Sequence, residues 1–394
     1  MTSAFAITAR RIFDGHMFHE DAALLVENSR VKAVLARADL PGGMMHHDAG
    51  DALITPGFID LQVNGGGGVL FNNDPTVPGI RTICETHARY GTTALMVTLI
   101  TDAPELKREA IAAGAAAAAA GEPGYLGLHL EGPHLSIARK GTHDPALIRP
   151  MIEADLAYLL EQAPRFGIPM ITIAPESVTP DQVRRLVQAG YRVSLGHTDT
   201  SCIGVAAYIK AGATLVTHLF NAMSQLGNRE PGLVGAALAS PSLHCGLIAD
   251  GFHVDPVTMK IALAAKTGPA HIFLVTDAMS TIGTGENGFD LNGRTVYRRD
   301  GRLTLADGTL AGADIDMLSC VRYVHEQLGQ PLEEALRMAS LYPAEAIGAP
   351  SKGSLIAGKD ADFVVLGADL DIRSTWIAGT CVHTADTKPS WAFA

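Results

Sequence analysis

The sequence predicts an α/β protein, a (β/α)8 barrel with a small β domain assembled from both ends of the chain. Three observations predict it. Eight short apolar runs alternate with longer helical patterns through the body of the sequence, the arrangement of parallel βα units, and eight is the number that closes a barrel. Both ends read differently, as alternating strands broken by Gly, Pro and Asp turns. At 394 residues the length suggests two or three domains of roughly 100–200 residues, and one large barrel with an appended domain fits equally well.

In chain order, residues 3–50 read as short strands with turns at Asp14-Gly15 and Pro41-Gly42-Gly43. The barrel runs are Phe58–Asn64, Ala94–Leu99, Leu126–Glu131, Met170–Ala174, Arg192–His197, Thr214–His218, Cys245–Asp250 and Ile272–Asp277. Gly65–Gly68 reads as a flexible loop; it lacks the Lys-Ser/Thr of a phosphate loop and is not GxGxxG. Ala110–Ala120 reads as a helix, interrupted by Gly114 and too short for a membrane span of ~20 apolar residues. Further helices are Asp181–Ala189 after Thr179-Pro180 and Ser201–Ala211 before Gly212. The turn signals Asn292-Gly293 and Asp300-Gly301 mark an inserted β-hairpin at Phe289–Thr304. Helices resume at Met317–Leu328 and Leu332–Ser340, and residues 353–386 return to strands, with Phe363–Leu366 the clearest. The domains are therefore placed at 1–54 with 350–394 for the small domain, and 55–349 for the barrel.

Composition removes several classes. Hydrophobic residues make up 47% and charged residues 18%, too apolar and too weakly charged for a disordered chain. A net charge of -11 argues against a nucleic-acid or anionic-membrane partner, although a pocket can be locally positive inside an acidic protein. The five cysteines, Cys84, Cys202, Cys245, Cys320 and Cys381, are scattered with no CxxC pair. That pattern speaks against a disulfide framework or a zinc knuckle. With no signal-peptide core in Met1–Gly15, a reducing cytoplasm is the expected home.

Chemistry concentrates at the ends of the barrel runs. The third ends in Glu131, the fifth in His197, the sixth in His218 and the eighth in Asp277, and C-terminal strand ends are where barrel enzymes place their working groups. One carboxylate and two imidazoles make a three-ligand metal site with room for a water. Asp277 would then stand beside that water as a general base. A single His at a strand end is more often a surface or hydrogen-bonded residue; four such residues at equivalent ends of one series point to a metal hydrolase. His129, His134, Glu176 and Cys202 read as packing or structural residues, and His46-His47 as exposed decoration.

These residues sit in longer motifs. Gly127-Leu128-His129-Leu130-Glu131-Gly132-Pro133-His134, Lys140-Gly141-Thr142-His143, Ser194-Leu195-Gly196-His197-Thr198, Thr217-His218-Leu219-Phe220-Asn221-Ala222-Met223, Arg229-Glu230-Pro231-Gly232, Asp250-Gly251-Phe252-His253 and Val275-Thr276-Asp277-Ala278 occur in this order. From about residue 50 to Leu366 the chain resembles the N-acetylglucosamine-6-phosphate deacetylases of the amidohydrolase superfamily. The resemblance implies a TIM-type barrel with a small β-sandwich built from both termini. It implies hydrolysis of the acetamide of a 6-phosphorylated amino sugar, giving acetate and the free amine. Glu131, His197 and His218 match the family's ligands for one divalent metal ion per subunit, with Zn2+ the default and Fe2+, Co2+ or Mn2+ the other occupants. Asp277 matches its acid/base and His143 its oxyanion donor. Thr142, His143, Asn221, Ala222, Arg229, His253, Leu310, Ala311 and Gly312 match its substrate pocket, with Arg229 reaching the active site of the neighbouring subunit in a homodimer. The alternative for Arg229 is a surface ion pair with Glu230.

One departure bears on the metal count. Where many amidohydrolases carry His-x-His, this chain reads Gln62-Val63-Asn64. Amides are weaker ligands than imidazoles for zinc-like ions, so Gln62 and Asn64 mark a vestigial second metal position, and one metal per site is expected. Other readings are deacetylation of the galactosamine epimer or another N-acyl amino-sugar phosphate, a cyclic-amide hydrolase or deaminase on the same fold, and a catalytically silent sugar-phosphate-binding barrel.

Overall fold

The computed structural model describes residues 4–385. Eight parallel strands follow one another in chain order: Phe58–Val63, Thr92–Ile100, Tyr125–Glu131, Met170–Ile173, Arg192–Leu195, Leu215–Val216, His244–Leu247 and Ile272–Leu274. Each overlaps one of the expected runs, although Thr92–Ile100, Tyr125–Glu131 and His244–Leu247 begin one or two residues before theirs. The first and eighth close the barrel through a bridge between Val63 and Ala278, supported by Asp277 N–H donating to Gln62 C=O at 3.0 Å and Asn64 N–H to Ala278 C=O at 2.9 Å. Several expected runs overshoot at their C-terminal ends for a definite reason. His197, His218 and Asp277 have φ of 47°, 28° and 52°, and a left-handed residue cannot continue a strand.

Local chemistry explains the helices around the barrel. Thr179 Oγ1 accepts the Gln182 N–H and Gln182 Oε1 the Thr179 N–H, a reciprocal cap that starts Pro180–Gln188. Ser201 caps Cys202–Ala211, which ends at left-handed Gly212. The Ala-rich helix extends over Pro104–Ala120. Its Gly114 has a packing reason: a Cβ there would stand 2.7 Å from Leu128 Cδ1 of the third strand.

Two expectations need correction. Gly65–Gly68 is not a loose loop: Gly65–Gly66 pairs antiparallel with Val69–Leu70 and is buried. A side chain at Gly65 would meet Val69 O at 2.3 Å. The insertion is larger than one hairpin, being a four-stranded sheet of Gly288–Leu291, Arg294–Arg299, Arg302–Thr304 and Leu310–Ala313. Asn292-Gly293 and Asp300-Gly301 both have positive φ, and so each forms its own tight turn.

The ends of the chain meet in a single eight-stranded sheet. Strand Leu53–Pro56 pairs with Ala4–Phe13 on one side and with Phe363–Leu366 on the other. The sheet wraps one apolar core in which Phe363 stacks on Trp376 at 5.2 Å and Phe5 lies 5.6 Å from the same indole. The small domain expected from both termini is thus built on one continuous hydrogen-bonded sheet. Residues 1–3 and 386–394 of the expected small domain lie outside the described residues.

Candidate active site

Three ligand-type atoms converge at the C-terminal mouth of the barrel. Glu131 Oε1, His197 Nε2 and His218 Nε2 form a triangle with every side 3.1 Å. All three side chains are buried. His197 Nδ1 donates to the carbonyl of Arg139 at 2.9 Å, which leaves the Nε2 lone pair facing inward. Two imidazole nitrogens and a carboxylate oxygen packed so closely lack the protons to satisfy one another, and His218 Nδ1 is itself buried without a partner. Burial works to raise the Glu131 pKa, but the two imidazoles outweigh it and hold it well below the usual carboxylate range. A divalent cation fits this donor set: tetrahedral bonds of about 2.0–2.1 Å place neighbouring ligands about 3.3 Å apart. His143 adds a ring to the cluster. Its ligand atom lies with those of Glu131 and His197 inside 4.8 Å, and its ring meets His197 edge-on at 4.5 Å.

Asp277 stands beside this triangle. Its Oδ1 accepts from Asn64 Nδ2 at 2.7 Å and from Gln62 Nε2 at 3.1 Å. The Gln62 amide also donates to both oxygens of Glu131, at 3.3 and 3.2 Å. An N–H donor therefore fills the space between the two carboxylates where His-x-His would bring a second ion. Although Asp277 lines the cavity, burial pushes its carboxyl up to about 6, and the charge of Glu131 adds to the rise. A cation at the triangle would draw it back down.

His143 has a defined tautomer. Thr101 N–H donates to its Nδ1 at 3.3 Å, with Thr101 Oγ1 at 2.8 Å from the same atom, so Nε2 carries the proton. Burial, assisted by His197, lowers its pKa to about 3, keeping the ring neutral. The adjacent Thr142 carbonyl accepts Arg294 Nη2 at 2.5 Å, which ties this loop to the insertion.

A cavity of about 600 Å3 opens over these groups, lined among others by Thr142, His143, Asn221, Ala222, His253, Leu310 and Gly312. His253 is fixed by Asp250, whose Oδ2 lies 2.6 Å from its Nδ1. Asn221 Nδ2 donates to the carbonyls of His218 and Leu219 at 3.3 and 3.4 Å. Two expected contacts are not made inside the chain. Ala311 is fully buried in the core of the insertion, because strand alternation turns its side chain away while Leu310 and Gly312 face the cavity. Arg229 is exposed on the loop after the sixth strand and does not line the cavity. Nor does it pair with Glu230, whose carboxylate accepts the N–H groups of Cys202 and Gly232 at 2.7 and 3.0 Å.

The residues read as structural are so. His129 Nε2 meets Thr172 Oγ1 at 2.7 Å, His134 Nδ1 meets the Arg149 carbonyl at 3.1 Å, and Glu176 accepts from Thr198 Oγ1 and Asp199 N–H at 2.6 and 2.7 Å. Sequence reading missed Thr101, Arg139, Asp250 and Arg294 as supports of the site. Asp250 alone had a signal, three residues before His253 in a quoted motif; the others are brought in by tertiary contacts.

A barrel that aims a carboxylate, two imidazoles and an adjacent second carboxylate at one point of its C-terminal mouth has the construction of a metal-assisted hydrolase. The chain belongs to the amidohydrolase family, whose model matches residues 53–382. It is 44% identical to an N-acetylgalactosamine-6-phosphate deacetylase of Shewanella sp. (strain ANA-3), over 86% of each chain. It is 37% identical to the human N-acetylglucosamine-6-phosphate deacetylase, over 86% of this chain and 85% of the relative. Among solved structures, the N-acetylglucosamine-6-phosphate deacetylase of Pasteurella multocida superposes with a TM-score of 0.93 at 34% identity, covering 97% of this chain and all (100%) of the other. Escherichia coli guanine deaminase, at 14% identity and a TM-score of 0.57, shares the fold alone.

Proposed function

We propose that this chain hydrolyses N-acetyl-D-glucosamine 6-phosphate to D-glucosamine 6-phosphate and acetate, in amino-sugar catabolism or cell-wall sugar recycling. The observation that carries this reading is the 3.1 Å triangle of Glu131, His197 and His218 with Asp277 at its side, on the wall of one cavity.

Glu131, His197 and His218 would hold one divalent ion, zinc by default. When bound, such an ion polarises the acetyl carbonyl and makes water acidic near neutral pH. Asp277, ionised at rest, takes the proton of the attacking water and returns it to the sugar nitrogen, so that a neutral amine leaves. His143 donates its Nε2–H to the oxygen on which charge develops. His253, steadied by Asp250, is placed to bond sugar hydroxyls, while Thr142, Asn221, Ala222, Leu310 and Gly312 enclose the ligand.

Arg229 would clamp the phosphate through its planar fork of donors, reaching the cavity of a second copy in a homodimer. Its exposure supports this, as do the exposed Leu226, three residues before it, and Ile261, which line one shallow apolar pocket suited to a partner. We place the small domain at 1–54 with 350–394 and the barrel at 55–349. No described helix is long and apolar enough to cross a membrane, and the five free cysteines suit a reducing cytoplasm.

A second reading, deacetylation of the galactosamine epimer, is favoured by the 44% identity to the Shewanella relative. Acetate release from each 6-phosphorylated sugar tests both. A higher kcat/KM for the glucosamine substrate supports the first reading, a higher value for the galactosamine substrate supports the second, and no release from either rejects both.

A further inference from the structure

Asp60 is the most buried carboxylate among the described residues and has no part in the mechanism above. It lies on the first barrel strand, two residues before Gln62. Its Oδ2 accepts Thr276 Oγ1–H at 2.5 Å, and its Oδ1 accepts the N–H groups of Gln62 at 3.2 Å and Thr276 at 3.3 Å. Thr276 Oγ1 in turn accepts the Ala278 N–H at 3.2 Å. The residues on both sides of Asp277 thus hang from one carboxylate, as does the backbone of Gln62, whose side chain meets Asp277 and Glu131.

The position of Asp60 explains why a carboxyl group is worth burying there. Elsewhere in the barrel adjacent strands share a ladder of paired residues, but among the described residues the first strand and the segment after the eighth share the single backbone bridge Val63–Ala278. At that seam Asp277 takes a left-handed backbone, with φ of 52°, which a non-glycine residue holds only when its surroundings enforce it. A neutral apolar side chain at position 60 would leave three donors without an acceptor.

We propose that Asp60 is a positioning residue for the hydrolysis: acting through Thr276, it sets the backbone of Asp277 and hence the direction of its carboxylate. This rests on the reading of Asp277 as the proton carrier, which Asp277→Asn tests separately; acetate release by the unaltered chain is the reference for the variants below. The substitution Asp60→Asn keeps the shape and removes one acceptor. It should lower kcat at least tenfold while KM changes less than twofold, with metal content held near one ion per chain. Thr276→Val should reproduce the loss and Thr276→Ser, which keeps the hydroxyl, should not. The double variant D60N/T276V should lose no more than the worse single one, as members of one unit do. A crystal structure of D60N should show Asp277 moved off its bonds to Asn64 and Gln62, a readout independent of turnover. The proposal is overturned by unchanged kcat, by losses that multiply in the double variant, by loss that tracks metal content alone, or by an Asp277 carboxylate that has not moved. If D60N does not fold, the contrast between T276V and T276S decides, and equal activity of those two overturns it.

Discussion

Gln62 and Asp277 are joined twice across the seam of the barrel: Gln62 C=O accepts the Asp277 N–H at 3.0 Å, and Gln62 Nε2 donates to Asp277 Oδ1 at 3.1 Å. One residue of the first strand therefore fixes both backbone and side chain of the group assigned to move the proton. The second bond occupies a lone pair of Asp277 and leaves the other oxygen for water.

Asp277→Asn should keep its metal and lose most turnover, by about 10²–10⁴-fold, the usual worth of a positioned acid/base. Acetate release beside elemental analysis of the same sample checks it. Near-normal turnover would remove Asp277 from the mechanism.

Chelation should abolish activity and one equivalent of divalent ion per chain should restore it. The donor geometry around Gln62 gives the stoichiometry, since an amide N–H and a cation cannot share the space between Glu131 and Asp277. Two tightly held ions per active chain would contradict this.

Arg229→Ala should raise KM for the phosphorylated sugar by about 10–100-fold, the worth of a charge-assisted hydrogen bond of about 1.5–3 kcal/mol, and should matter little for the unphosphorylated one. Mixing this variant with an Asp277→Asn chain should restore part of the activity if the arginine acts across a subunit boundary. No recovery in the mixed dimer would place Arg229 outside the partner's site.

For Asp250 the expected readout is pH-dependent stability. Burial tends to raise its pKa, yet the bond and charge of His253 outweigh it and leave it below the usual carboxylate value. The pair therefore stabilises the fold above the unfolded-state pKa of about 3.9, and that contribution fades as pH falls through the folded value. In urea unfolding, Asp250→Asn should trail the unaltered chain at pH 7 and approach it at pH 3. A gap that widens in acid would contradict the sign.

Phe363→Ala should cost about 3–5 kcal/mol, because the ring is fully buried and stacked on Trp376. If the chain divides as proposed, limited proteolysis of this variant should cut first outside residues 55–349. First cuts within the barrel would argue for a different division.

Much of this architecture can be read from residues alone. All eight strands lie where their apolar runs stand, because a strand buried on both faces is written as a continuous apolar stretch. Four of the central side chains were legible as the polar residues ending those runs. What could not be read is what holds them. The left-handed backbone at His197, His218 and Asp277 has no local cue, since none of these is a glycine. Arg294 reaches the Thr142 carbonyl from 152 positions away, and such a contact exists only after folding. Ala311 was misplaced because a motif of three consecutive residues ignores the alternation of a strand. The Gly65–Gly68 run misled only in part: Gly65 serves for close approach to Val69 O, while Gly67 and Gly68 take the positive φ of a tight exposed turn.

The shared terminal sheet also dictates an order of assembly. Arg30 bonds to the carbonyl of Gly358, 328 positions later, and Leu53–Pro56 has Phe363–Leu366 as its neighbour on one edge. On the ribosome the first strands emerge while that neighbour is still unsynthesised, and they must wait with an open edge until the whole barrel has been made. Loop closure over so long a span is slow, and an unpaired edge invites strangers. The newborn chain is therefore most vulnerable to misassociation at these early strands, and emergence of Phe363–Leu366 is the moment at which that vulnerability ends.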